Sequence, residues 1–598
     1  MSPAVRKFSS VLIANRGEVA VRVIRACREL GIRAIAVYSD ADEGALHVRL
    51  ADEAHRLGGA PARESYLNIE RIVAVARASG AEAVHPGYGL LSENADFARA
   101  VIDAGLTFVG PAPDVIAQMG DKVAARDAAR RSGVPLLPGS SGTVANVSAA
   151  MESAARIGFP LVVKACFGGG GRGMRIVRSG DELARALEEA ARESSAAFGR
   201  ADVYLERYVS KARHVEVQVL GDQHGNVVHL GDRDCSVQRR HQKMIEEAPA
   251  PALPVALRSA IAAAAVRLAK DVGYFSAGTV EFLVDVAAGE FYFLEMNTRL
   301  QVEHGVTEMV TGVDIVAAQL RIAAGEPLGL AQEQVRVIGH AMQARIAAED
   351  PWQGFQPQPG RIEALRVPLG PWLRADFGVE AGDSVTGFYD SMFGKLQAQG
   401  PDRDTARTRL CTALDELNVV GLPTTAPYLR AVLTQPDFVG VTHDTGSVER
   451  SWQPTLIGQA PPVSELSASS QAGAAATSSE RRVHLTTSQG TIEVAVFGTR
   501  REQRQVRAAS GHTRVTEQKK PESEPVAPIG GAVVAVCVQA GEVVAKGAVL
   551  VILEAMKMEL PVIAPRAGKV EAVLVAKGDV TTRGSLLVKL AAASEGDK

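Results

Sequence analysis

The sequence predicts a multidomain protein of α/β and α+β class: a Rossmann-like α/β domain first, mixed α+β segments next, and a small all-β domain last. Three observations carry this reading. Short apolar runs alternate with amphipathic stretches from Val11 to about Gly110, the pattern of βα units built around a parallel sheet. Pairs of apolar segments joined by glycine-bearing turns follow, as antiparallel hairpins do. Near its end the chain repeats itself. Ala527, Pro528, Gly531, Val533, Val536, Val538, Gly541, Val543, Gly547 and Leu550 recur 37 positions later as Ala564, Pro565, Gly568, Val570, Val573, Val575, Gly578, Val580, Gly584 and Leu587. Two such valine-rich halves bury one shared apolar face that neither buries alone.

Taken in order, the first strand is expected at 11–14, followed by a turn at Asn15, Arg16 and Gly17, a helix over 18–30 and a second strand at 34–38. Val84 and Phe108-Val109 mark later strands. The first turn lacks Gly-x-Gly-x-x-Gly, so no dinucleotide site is expected there. Hairpins are expected to pair 161–165 with 174–177 and 280–284 with 291–294, giving antiparallel sheets under a lid. Beyond Arg345 the chain is turn-rich. Residues 464–479, almost all Ser, Ala, Gly and Thr, cannot bury a core and read as a linker. A strand-like island at 483–497 and a proline-stiffened second linker at 518–525 precede the repeat. That linker reaches at most ~25–30 Å when extended.

At 598 residues the chain exceeds what one core serves. Its 65 basic and 68 acidic residues are well mixed and leave a net charge of −3, which argues against nucleic acid as a partner. Cys27, Cys166, Cys235, Cys411 and Cys537 are scattered without Cys-x-x-Cys spacing, so neither a disulfide framework nor a zinc site is expected. No signal peptide and no run of membrane-spanning length is seen, and a cytoplasmic protein without a membrane partner is expected.

Four features carry chemistry. Gly168, Gly169, Gly170 and Gly171 lie between two strands with no Gly-Lys-Ser/Thr after them, so the run is no P-loop; its bare backbone N–H groups suit a polyphosphate, beside the charge of Lys164. In the hairpin around 287–289, a three-residue loop ending at Gly289 sets Glu281 opposite Glu295, a repulsion that a cation or proton must relieve. Asn297 shares that face and completes an all-oxygen set suited to Mg²⁺ or Mn²⁺. Arg299, Gln301 and Glu303 continue the alternation, placing a cation and a base beside the metal set, with Arg299 expected to keep Glu303 ionised. The run Gln238 to Lys243 adds dense positive charge, including Arg239, Arg240 and His241. Lastly, Lys557 stands between Met556 and Met558 at the midpoint of the repeat, presented for covalent modification.

The segment from Pro525 to Leu590 resembles biotinyl carrier domains, whose Met-Lys-Met carries biotin. The glycine loop, His214-Val215-Glu216-Val217-Gln218, the stretch from Arg233 to Lys243, the stretch from Glu295 to His304, and Arg345 resemble biotin carboxylase, an ATP-grasp enzyme, with the likeness running from about Phe8 to Trp452. Taken whole, the chain is similar to the α subunits of bacterial acyl-CoA carboxylases. The resemblance implies a Rossmann-like N-terminal domain at 8–120, an ATP-grasp domain with a glycine-rich lid at 121–330, a biotin carboxylase C-terminal domain at 331–452, a linker with a docking island at 453–524 and a biotinyl/lipoyl-type barrel at 525–591. It implies that Lys122, Lys164, Gly168, Gly169, Gly170, Gly171, Glu206, His214, Gln238 and His241 bind ATP, and that Glu281, Glu295 and Asn297 hold Mg²⁺. Lys243, Arg299, Gln301, Val302 and Glu303 would bind bicarbonate, with Glu303 the base; Tyr88 and Arg345 would line the biotin site, and Lys557 would be biotinylated.

The implied partners are a carboxyltransferase β subunit, a biotin protein ligase and further copies of the chain within an α/β complex. Acetyl- or propionyl-CoA is the expected acceptor, with methylcrotonyl-CoA or pyruvate as alternatives. An ATP-grasp carboxylate–amine ligase bearing a carrier is the alternative reaction. The chain departs from the usual family pattern at Cys166-Phe167, at Gly305 where proline is usual, and at Ala347 where asparagine is common.

Overall fold

The computed structural model describes residues 7–140, 142–144, 146–166, 174–198, 202–458, 479–487, 490–498, 524–528, 530–555, 558–581 and 584–591. Its first segment forms a five-stranded parallel sheet in the order β3-β2-β1-β4-β5, with β1 Ser10–Ile13, β2 Arg33–Ser39, β3 Glu53–Gly58, β4 Ala83–His85 and β5 Thr107–Phe108. The inner strands β1, β2 and β4 are almost wholly buried because helices cover the sheet, among them Gly17–Glu29, which follows β1 as the periodicity required, while edge strand β3 is largely part-exposed. At the carboxyl end of β1 lies the crevice where sheets of this topology bind ligands. Here the chain fills it with its own side chains: Arg16 pairs with Asp42 at 2.6 Å and stacks over the Tyr389 ring at 4.2 Å.

The next segment contributes a small antiparallel sheet in the order β7-β6-β8, with β6 Leu161–Ala165, β7 Arg175–Val177 and β8 Val203–Arg207. The glycines 168–171 between β6 and β7 lie outside the described residues. The large sheet then begins with β9 Arg213–Gly221, β10 Val227–Arg239, β11 Gln242–Ala248, β12 Ser276–Asp285 and β13 Glu290–Asn297. Through β11 it pairs with β14 His340–Ala347, and beyond that with strands Met392–Gly400 and Leu373–Phe377, making eight strands in the order β13-β12-β9-β10-β11-β14-(392–400)-(373–377). One sheet therefore runs across residues 330–331 without a break.

Alternation along β9 explains the site. Val215, Val217 and Val219 pack with Leu257, Ile261 and Leu268 of helix Val255–Asp271, so His214, Glu216 and Gln218 face the other way. That other face is covered too, and all nine residues of β9 are buried.

In the terminal repeat, strands Gly531–Val536 and Gly568–Val573 occupy equivalent places in two sheets, around a core containing Val533, Leu550, Leu553, Val570, Leu587 and Leu590. Its glycines match by conformation as well as by position: Gly541 and Gly578 have φ of 93° and 99°, Gly547 and Gly584 of 87° and 86°. Each half turns at the same left-handed residue, which is what glycine permits. Strands Val549–Ala555 and Met558–Ile563 pair with Ala555 opposite Met558; Lys557 lies outside the described residues. The expected island is a two-stranded antiparallel ladder, Ser479–Thr487 with Gly490–Gly498. Among the described residues no helix is long and apolar enough to cross a membrane.

Candidate active site

The expected pairing of Glu281 with Glu295 is present, but by another route. The turn has four residues, 286–289, closing on the pair Asp285–Glu290, and this shifts the register by one. A bulge between Phe282 and Glu281 absorbs the shift, so Glu281 still faces Glu295. Asn297 Nδ2 donates to Glu281 Oε1 at 2.9 Å, and Gln301 Nε2 reaches the same oxygen at 3.3 Å.

Extended alternation stops before Glu303. This residue sits at φ −85°, ψ 7°, capping helix His304–Thr311, so a turn and not a strand delivers its carboxylate. There it is fully buried between Lys243 Nζ at 2.7 Å and Arg345 Nη2 at 2.8 Å. Burial favours the neutral acid, but Lys243 and Arg345 outweigh it and hold the Glu303 carboxyl below its ordinary value. Arg299 acts on Glu303 through space, as expected, while its direct contacts lie elsewhere: its Nε pairs with Glu93 at 3.0 Å and its guanidinium also reaches Asn297 and Gln301. Glu93 comes from a loop some two hundred residues away, which no local pattern could couple to Arg299.

Lys243 is the hub. Its ammonium donates to Glu216 at 2.5 Å, Glu281 at 2.7 Å and Glu303 at 2.7 Å, one carboxylate for each N–H. Burial alone would lower its pKa, yet the three carboxylates hold it well above the ordinary lysine value. The rest of its charge run disperses. Arg239 stacks on Phe355 at 4.3 Å, and the Arg240 N–H donates to Glu449. Both Arg240 and His241 have positive φ in a two-residue hairpin turn, and the cations of the run still act on one another and with Lys164 and Lys122: burial and Arg240 push Arg239 down, and burial, Lys164 and Lys122 push His241 down. Gln238 is buried directly opposite Lys243.

Several buried charges had no local signal. Arg233, fully buried, donates to Glu216 at 2.6 Å and to Gln218, Thr279 and Thr307. Glu246 accepts from Arg345 Nε at 2.5 Å. Polar positions alternating along an otherwise apolar strand, as at 214, 216 and 218, are the one signal that could have marked them.

A second group stands at the end of β6. Lys164 Nζ contacts Glu206 at 2.6 Å, and Arg126 takes the other oxygen of the same carboxylate. Burial, Lys122 and Arg126 push the Lys164 ammonium down to about 7, and the opposing pull of Glu295 does not outweigh them, so positive charge is in excess here. Burial and Lys164 likewise push His241 down. Between the two groups sits Glu295, whose carboxyl is pushed up by burial and by Glu281. A half-buried carboxylate facing Glu281, with Lys122 and Lys243 only partly offsetting the repulsion, stands beside the Asn297 amide oxygen and fits a hard divalent cation. His214 is held up at about 9, since its contact with Glu281 at 3.1 Å outweighs burial. Tyr88 joins through an intermediary: its hydroxyl donates to Glu18, which pairs with Lys395 at 3.2 Å.

Residues 7–116 match the family described as biotin carboxylase, N-terminal domain; 121–331 match carbamoyl-phosphate synthase L chain, ATP binding domain; 343–450 match biotin carboxylase C-terminal domain; and 525–590 match biotin-requiring enzyme. A biotin carboxylase of Nostoc sp. is 51% identical over 443 residues, covering 74% of this chain and 99% of its own. The chain belongs to the biotin carboxylase family. This biotin carboxylase also carries a biotin-requiring domain, and it is 44% identical over 571 residues to the biotin-dependent acyl-coenzyme A carboxylase alpha3 subunit of Mycobacterium leprae, covering 93% of this chain and 94% of that one. The crystal structure of the biotin carboxylase domain dimer of Hydrogenobacter thermophilus 2-oxoglutarate carboxylase, in complex with MgADP, ADP and bicarbonate, is similar with a TM-score of 0.74 and 47% identity, covering 76% of this chain and all of that one. The enzyme's activity is ATP-dependent carboxylation of biotin.

Proposed function

We propose that this chain is the α subunit of an acyl-CoA carboxylase, loading biotin on Lys557 with a carboxyl group that a separate carboxyltransferase β subunit passes to acetyl- or propionyl-CoA. The observation that carries the reading is Glu303, a buried carboxylate kept ionised between Lys243 and Arg345, beside a carboxylate pair that fits a divalent cation.

Bicarbonate is a poor electrophile until one oxygen becomes a leaving group. Lys243, Arg299, Gln301 and the backbone of Val302 bind it; Glu303 takes its proton, and its oxygen displaces ADP from the γ-phosphorus to give carboxyphosphate. Lys122, Lys164, Glu206, His214, Gln238, His241 and glycines 168–171 hold the nucleotide, the cations meeting the charge that develops on phosphate. Glu281, Glu295 and Asn297 would hold Mg²⁺, which would offset the negative charge of the phosphates. As carboxyphosphate breaks down, the released phosphate accepts the proton of the biotin ureido nitrogen, and a C–N bond forms to the carboxyl carbon. Arg345 faces the ureido oxygen, and Tyr88 lines the same side.

In this reading the division into 8–120, 121–330, 331–452, 453–524 and 525–591 separates the nucleotide-binding parts from the tethered carrier, and the 479–498 ladder docks the β subunit. The mycobacterial relative supports the α-subunit assignment through its coverage of both chains. The test is purification of the full chain from biotin-replete cells with a working attachment enzyme. Intact mass should show one biotin, lost in Lys557→Arg, and ADP release should require bicarbonate. A co-purifying chain that turns over acetyl- or propionyl-CoA completes the reading; turnover of pyruvate in its place overturns the acceptor.

A further inference from the structure

Strand Met392–Gly400 runs beside β14, with Lys395 directly opposite Arg345. A wholly buried lysine is expensive unless its ammonium is matched. Here Nζ donates to the Val302 carbonyl at 2.6 Å, the peptide immediately before Glu303, and pairs with Glu18 Oε1 at 3.2 Å. That same Glu18 oxygen accepts the Tyr88 hydroxyl, and the ammonium lies 5.9 Å from the centre of the Tyr88 ring. Two residues along the strand, and on the same face, Gln397 donates to Asp376 at 2.9 Å and presses its amide oxygen against Gly305. A Cβ at position 305 would collide with that oxygen, so glycine here admits Gln397 to the turn. The strand thus grips the Glu303 turn on both sides, at Val302 and at Gly305.

We propose that Lys395 is the positioning residue of this carboxylase's base: it fixes the Val302–Glu303 turn so that the Glu303 carboxylate meets bicarbonate, and through Glu18 it ties that turn to Tyr88. The inference rests on Glu303 being the base. Lys395 touches no reacting atom, and its effect is on where Glu303 stands. Displacement by about 1 Å costs on the order of 100-fold in rate.

The test uses the full biotinylated chain and bicarbonate-dependent ADP release. Lys395→Met should lower kcat/KM for bicarbonate on the order of 100-fold while leaving the Kd for MgADP unchanged. Glu18→Gln keeps a partner for Tyr88 but weakens the ion pair, and should lower the same quantity about tenfold. A merely structural role would move MgADP affinity and bicarbonate kinetics together, or neither; either pattern overturns the proposal. Should Lys395→Met fail to fold, Glu18→Gln decides alone, by the same readouts. Glu303→Gln separates the two levels: if it keeps wild-type ADP release, the base is misassigned, whereas an inactive Glu303→Gln beside an unaffected Lys395→Met condemns only the role of Lys395.

Discussion

At one end of the active site a single carboxylate, Glu206, takes two cations, Lys164 and Arg126, with Lys122 close by; at the other a single ammonium, Lys243, takes three carboxylates. Both ends are charged, but only the first is left unbalanced: at the second, Arg233, Arg345 and His214 also meet Glu216, Glu303 and Glu281. The difference teaches what each end receives: surplus positive charge awaits a polyphosphate, while Glu295, pushed up by burial and by Glu281, is eased by a divalent cation. A buried charge left unmatched by the protein marks a guest, because the fold alone gives no reason to leave it so.

The sharpest way to break this comparison is Glu303→Gln. With the base gone and its shape kept, bicarbonate-dependent ADP release should fall by ~10²–10⁴, while MgADP affinity at the far end stays unchanged. Undiminished release would move the base elsewhere. Next comes Lys243→Met, which removes the cation shared by Glu216, Glu281 and Glu303 and leaves them only Arg233, His214 and Arg345. Urea unfolding should report a loss of about 3–5 kcal/mol, the cost of breaking a buried pair from one side; an unmoved midpoint would mean that water already reaches these carboxylates. Lys164→Met tests the opposite end. Calorimetry should show nucleotide Kd weakened about 10–100-fold, as loss of one charged hydrogen bond implies, with bicarbonate KM unmoved.

Local pattern revealed the parts that local physics determines. The Glu281–Glu295 pair, Asn297 and the terminal repeat were legible because a hairpin fixes its own register and a repeat fixes its own fold. Even there the bulge was invisible, since only the sum of turn length and bulge sets the pairing. Lys395, Gln397 and Gln399 alternate like the solvated side of a strand, and Glu216 and Gln218 do the same; whether such a face meets water depends on what a distant segment lays over it. Proximity along the chain placed the charge of Arg299 near Glu303, and tertiary folding added Glu93 as its direct partner.

Behind the carboxylate-rich end, Asp376 accepts Arg374 Nε at 2.9 Å and Gln397 Nε2 at 2.9 Å, so it steadies the strand that grips the Glu303 turn. Burial works against its charge, yet Arg374 and Lys395 hold its carboxyl down, to about 2 against an ordinary 3.8. A carboxyl depressed on folding stabilises the fold at pH above its unfolded value, and that stabilisation is lost as pH falls through the folded one. The shift corresponds to about 2 kcal/mol. Unfolding free energies of the wild type and Asp376→Asn should therefore differ most above about pH 5 and converge as the pH drops from about 4 toward 2. Of the changes considered it is the smallest, and it separates frame from site: a gap that stays constant through this window would mean that Asp376 acts by shape alone, leaving the charge contrast between the two ends as the whole electrostatic account.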